Sequence, residues 1–147
     1  MIDFIEMWHQ RARPKPTSKD FHVQLGCHFE EVAEMLETFD FYKDADDQER
    51  DLARRHVSRL AVLLKTGVAE VRMDKVSRED MLDAIADQVV TATGVGHCAG
   101  MQVTEAVRRV NHSNWSKFDT DGKPLYDKNG KVLKGPNYAP PDLGGLY

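Results

Sequence analysis

The chain has 147 residues, 41% hydrophobic and 30% charged, and its 20 basic and 24 acidic side chains leave a net charge of −4. That is enough apolar material for one packed domain over 1–147, and the acidic balance argues against a surface built for non-specific nucleic-acid binding. No apolar run approaches the length of a membrane span, Met1 to Trp8 lack the basic start and long apolar run of a secretory signal, and Cys27 and Cys98 make no disulfide framework, so a cytoplasmic setting is expected.

Taken in chain order, Met1 to Gln10 carries Ile2, Ile5 and Trp8 at helical spacing and predicts a short amphipathic helix. Pro14 and Pro16 make Arg11 to Lys19 a loop. From about Asp20 to Tyr42, Leu25, Phe29, Val32, Ala33, Leu36 and Phe39 recur with helical period. Asp46 followed by Glu49 predicts a capping box opening a third helix, which carries Leu52, Val57, Leu60, Ala61 and Leu64 and stops near Gly67. Ser77 caps a fourth, with Glu79 and Asp80 in its first turn. Beyond Asp87 this fourth helix is apolar or small nearly all round, which predicts a central, buried position. A fifth holds Val103, Val107, Val110, Trp115 and Phe118, completing a core at about 20–118. From Asp119 onward, glycines and prolines predict an irregular tail over 119–147, with a small hairpin around Asn129-Gly130. The expected class is therefore all-α: a four-helix core with a short N-terminal helix and an irregular tail.

Glu30, Glu31 and Glu34 lie three and four residues apart on the second helix, where neighbouring carboxylates repel and a cation offsets the repulsion. Asp83 and Asp87 share a face of the fourth, and Asp87 sits among residues where an unpaired charge is costly to bury. Side by side, the two helices would form an oxygen-only site of the kind hard cations such as Mg²⁺ or Mn²⁺ prefer. Taken on spacing alone, a solvated acidic face is the more ordinary account of the glutamates.

Glu30-Glu31-x-x-Glu34, followed later by Asp87, resembles the signature of the all-α nucleotide pyrophosphohydrolases, the superfamily of the MazG-like enzymes, dimeric dUTPases and phosphoribosyl-ATP pyrophosphohydrolase. The family's Glu-x-x-Asp departs here: Ala84 occupies the glutamate position, with Asp83 one residue earlier. The segment Val110 to Lys117, and the tail through Lys123-Pro124 and Gly130 to Tyr138, also resemble phage and bacterial members, so the likeness runs from about Phe29 to Leu143.

That resemblance implies hydrolysis of a nucleoside triphosphate between its α- and β-phosphates, with deoxynucleotides such as dUTP or dCTP as frequent substrates, in a homodimer or homotetramer. It implies Mg²⁺, or Mn²⁺, held by Glu31, Glu34 and Asp87 with Asp83 helping, and Glu30 as the residue that orients or deprotonates the attacking water. Asn114 and Lys117 would meet phosphate oxygens, and Lys134 would close over the site from the tail. The competing account is a catalytically degenerate nucleotide-binding or helical interaction module, for which Ala84 is the best support.

Other signals weigh less. Trp8, His22, Gln24 and Trp115 are candidates for base recognition, although tryptophans are more often core. Cys27-His28 and His97-Cys98 are poorly spaced for zinc, and both cysteines are expected to pack as small hydrophobes. Asp119 to Gly122 and Asp127 to Gly130 lack the full ligand spacing of a calcium loop and read as turns. Arg50, Arg54, Arg55 and Arg59 form a basic stripe better explained by pairing with acidic residues across helices than by nucleic-acid contact.

Overall fold

The computed structural model describes residues 2–147. The protein is all-helical in its regular structure, with α1 (Ile2–Ala12), α2 (Ser18–Glu37), α3 (Asp44–Lys65), α4 (Arg78–Cys98) and α5 (Val103–Trp115). No described helix is long and apolar enough to cross a membrane. Where the sequence reads as one domain, the chain groups into two compact units. One comprises Lys15–Val71 and Tyr126–Lys131; the other comprises the α1 segment up to Pro14, Arg72–Leu125 and Val132–Tyr147.

The first unit is built on the α2–α3 hairpin, the most extensive helix pairing in the chain. Helix α2 starts two residues before the expected boundary because Thr17 and Asp20 form a capping box: the Thr17 hydroxyl accepts from the Asp20 amide, and the Asp20 carboxylate accepts from the Thr17 amide. Helix α3 also starts early. Lys43, not Asp46, is its N-cap, and Asp44, Asp46 and Asp47 instead occupy the first turn, where they favour the helix dipole. Gly67, at φ 74°, turns the chain out of α3, a left-handed conformation only glycine adopts cheaply. Beyond it, buried His22 ties down the outgoing strand of chain. Its Nε2 accepts from the Val71 amide at 2.8 Å, which leaves Nδ1 to donate to the Ser18 carbonyl at 2.7 Å.

The second unit has its own small core of Trp8, Ala12 and Phe118, with Trp115 and Val132 packed against it. The Trp8 and Phe118 rings lie 5.8 Å apart and nearly parallel, Trp115 meets Phe118 edge-on, and the Trp8 indole N–H donates to the Asn114 carbonyl at 2.8 Å. The tail is pinned to α5 by hydroxyls: Ser113 donates to the Ala139 carbonyl and Ser116 accepts from the Ala139 amide. At the far end of the chain, the Gln102 amide donates to the Leu146 carbonyl.

Helix α4 corrects the expectation of a central, buried element. Ser77 caps it as predicted, but Gly96 is its only buried residue, and Leu82, Ile85, Val89, Val90 and Val95 are all exposed. Periodicity and composition report that a helix is apolar; they do not report whether its own chain covers it. The predicted hairpin is present in minimal form. Asp127 N donates to the Lys131 carbonyl and Leu133 N to the Leu125 carbonyl, with Gly130 at φ 93° in the turn.

Candidate functional site

Helix α2 presents Glu30, Glu31 and Glu34 within one turn of each other, in the arrangement their spacing predicts. Glu30 is half-buried, whereas Glu31 and Glu34 are exposed. Glu34 and Glu30 line a groove of about 260 Å³ between α2 and α3, with Glu37, Ser58 and Lys65 around it.

Two lysines hold the Glu30 carboxylate. Lys65, in the last turn of α3, reaches one oxygen at 2.6 Å, and Lys131, in the tail turn, reaches the other at 2.9 Å. Burial pushes the Glu30 pKa up, but hydrogen bonds and charge from Lys65 and Lys131 outweigh it and leave the group below its ordinary value. Lys131 moves the opposite way: its hydrogen bond to Glu30 raises its pKa despite partial burial. The pair is thus locked as carboxylate and ammonium. Beside them, burial pushes the half-buried Cys27 thiol up, so it is no ready nucleophile.

Two local features deliver the lysines. A Cβ built on Gly26 would lie 2.5 Å from the Lys65 Cγ and 2.7 Å from the Ala61 carbonyl oxygen, so only glycine lets α3 and the Lys65 stem cross α2 this closely. Lys131 is fixed by an Asx turn in which one Asp127 oxygen accepts from the Asn129 and Lys131 amides, both at 2.8 Å. The matching turn at Asp119, which accepts from Asp121 and Lys123, bears out the reading of both loops as turns.

The other expected site residues lie in the second unit. Asp83 and Asp87 share one face of α4, and both are exposed, so the cost of burying Asp87 no longer argues for a ligand role. Asn114 is half-buried near the end of α5, its carbonyl taken by Trp8. Lys117 lies 5.9 Å from the Trp8 ring centroid, and Lys134 sits 4.6 Å over the Tyr138 ring. Among the described residues, no three acidic, histidine or cysteine side chains are gathered closely enough to hold a metal ion. In kind, however, Glu31 and Glu34 on α2 offer carboxylate oxygens, which suit a hard cation.

Sequence reasoning missed Lys65, Lys131 and Gly26. A glycine inside the helical pattern of α2 was the available signal, because it marks a close backbone approach. Nothing local distinguished Lys131 from Lys134. The candidates for base recognition are largely spent on structure: Trp8 and Trp115 pack in the core, and both ring nitrogens of His22 are engaged. Gln24 stays exposed on α2. In the arginine stripe, the expected pairing across helices is seen for Arg54 with Glu37 of α2, whereas Arg50 pairs with Asp47 and Asp51 of its own helix. Cys98 is exposed rather than packed, at the C-terminal end of α4.

No family model, curated protein or solved structure matches the chain.

Proposed function

We propose that the protein is a metal-dependent nucleoside triphosphate pyrophosphohydrolase, cleaving a nucleoside or deoxynucleoside triphosphate, such as dUTP or dCTP, to the monophosphate and pyrophosphate. The observation that carries this reading is the α2 cluster: an ionised Glu30 beside exposed Glu31 and Glu34, bordering a groove. It joins the sequence resemblance, which runs beyond that cluster into the tail.

Glu31 and Glu34 would hold Mg²⁺ or Mn²⁺, and Asp83 and Asp87 are the further ligands that the sequence resemblance implies. Such an ion, when bound, neutralises phosphate charge and polarises the phosphorus–oxygen bonds. Glu30 orients the water that attacks the α-phosphorus. Each of its oxygens keeps a lone pair beyond the one given to a lysine, and the low pKa favours accepting a hydrogen bond over keeping a proton. Water adds its oxygen to the α-phosphorus, the bond to the bridging oxygen breaks, and that oxygen leaves with pyrophosphate. Asn114, Lys117 and Lys134 remain the resemblance's phosphate contacts. A homodimer or homotetramer, in the cytoplasm and without nucleic-acid partners, belongs to the same reading; the exposed apolar side chains of α4 support self-association.

Those same side chains, with Ala84 in place of a ligand, favour a second reading: a helical interaction module without catalysis. Substitution separates the two. Glu34→Gln and Asp87→Asn should each abolish metal-dependent hydrolysis, and full activity in either variant removes the metal assignment.

A further inference from the structure

The Lys65–Glu30–Lys131 triad sets two ammonium groups against one carboxylate, with the Glu31 carboxylate also within electrostatic reach of Lys131. The three side chains of the triad alone carry a net charge of +1. Each ammonium has three N–H donors, and Glu30 takes one from each. The two lysines arrive from different elements, α3 and the tail turn, and both are pre-positioned: Lys65 by the close crossing at Gly26, Lys131 by the Asp127 turn. Ordering a lysine side chain ordinarily costs rotamer entropy, and here that cost is met before any ligand arrives.

Lys65 also lines two grooves. One is the acidic groove of about 260 Å³ with Glu30 and Glu34. The second groove, of about 400 Å³, is lined by Ser18, Lys19, His22, Thr66, Glu70 and Asn129 among others, and so carries a further cation and a further carboxylate. Lys131 lines neither groove but shares the Glu30 carboxylate with Lys65, so a ligand that meets both ammonium groups needs several anionic oxygens in a row. Such a ligand also benefits from a divalent cation that offsets Glu31 and Glu34 on the adjoining turn.

We propose that Lys65 and Lys131 are phosphate-binding residues, held ready by Glu30, and that the group they take is the polyphosphate chain of the substrate. The inference rests on the hydrolase reading for its substrate and on the triad for its residues. Glu30 thereby gains a second role, as the positioning residue for the two lysines.

The test uses the full chain, with inorganic triphosphate as the probe, titrated calorimetrically with and without Mg²⁺. Lys131→Met is the primary variant, since its turn is held by Asp127 and survives loss of the side chain. Lys65→Met is the second. Each should weaken triphosphate binding about tenfold, the ordinary worth of one charged hydrogen bond. Lys131→Arg should restore most of it. An ion pair that serves only to dock the tail turn would leave triphosphate affinity unchanged in Lys131→Met, and that result, or no binding by the wild type, overturns the proposal. Nucleotide hydrolysis with an unchanged KM in Lys131→Met would also remove this inference while leaving the hydrolase reading intact. Lysine-dependent triphosphate binding without hydrolysis of any nucleotide would do the reverse.

Discussion

Replacing Gly26 with alanine tests how the site is held together. Considered only as a helix residue, alanine should help, because glycine inside a helix costs about 1 kcal/mol relative to alanine. Against that stands the crossing of α2 and α3. The new methyl would lie 2.5 Å from the Lys65 Cγ, 2.7 Å from the Ala61 carbonyl oxygen and 3.2 Å from the Lys65 amide nitrogen. The lysine stem can turn aside, but the Ala61 carbonyl belongs to the backbone of α3 and moves only with the helix. Overpacking of this kind costs about 1–3 kcal/mol, which leaves a net change between about zero and a loss of about 2 kcal/mol after the propensity gain. Urea unfolding followed by circular dichroism reads the midpoint, and calorimetric titration with inorganic triphosphate reads the lysines. We expect a midpoint no higher than that of the wild type together with weaker triphosphate binding, since Lys65 is pushed from Glu30. A midpoint clearly above wild type would refute the close-crossing argument, because the propensity gain of about 1 kcal/mol would then have gone unopposed.

Other perturbations read other parts of the account. Trp8→Ala removes the ring stacked on Phe118 and should destabilise its unit by about 3–5 kcal/mol, visible as a lower thermal midpoint; a change under about 1 kcal/mol would contradict a core role for this ring. His22→Leu leaves the Val71 amide without its acceptor, which should cost about 1–3 kcal/mol and speed hydrogen exchange at Val71; unchanged exchange would mean that the bond does not hold the chain there. Glu30 and Glu105 both have pKa values below the ordinary 4.5, Glu105 at about 2 through its hydrogen bonds to Arg108 and Arg109, so the stability each supplies is present above pH 4.5 and is lost as pH falls through the folded value. Thermal melts from pH 7 to pH 2 should therefore show an acid limb that is shallower in Glu30→Gln, and an identical limb in the variant would remove Glu30 from it.

Much of this architecture is legible in the sequence, for reasons that also explain the misses. Helical period in Leu25 to Leu36 and in Leu52 to Leu64 marks α2 and α3, which pair along their length, with Ala33, Ala61 and Leu64 buried while Leu52 and Leu60 stay exposed. Ser77 is legible as a cap because its signal is local. The start of α3 is not, since several aspartates in a row offer competing caps and the helix takes Lys43 instead. Helix α4 fails differently: apolar composition predicts burial, yet coverage depends on which surfaces meet, and five of its large apolar side chains stay exposed. At the site, the α2 carboxylates share a turn because helix geometry alone decides it. The lysine that meets them does not follow from spacing. Lys131 and Lys134 stand three residues apart in the tail, and it is the Asp127 turn that sends Lys131 to Glu30 while Lys134 packs over Tyr138.

The central claim is tested most directly by pyrophosphate release from a panel of ribonucleoside and deoxyribonucleoside triphosphates, with Mg²⁺, with Mn²⁺ and with chelator. A hydrolase of this kind should release pyrophosphate from one or a few nucleotides in the presence of metal and none with chelator. No release from any nucleotide with either metal would contradict that assignment, and the helical interaction module would then be the better description of this chain.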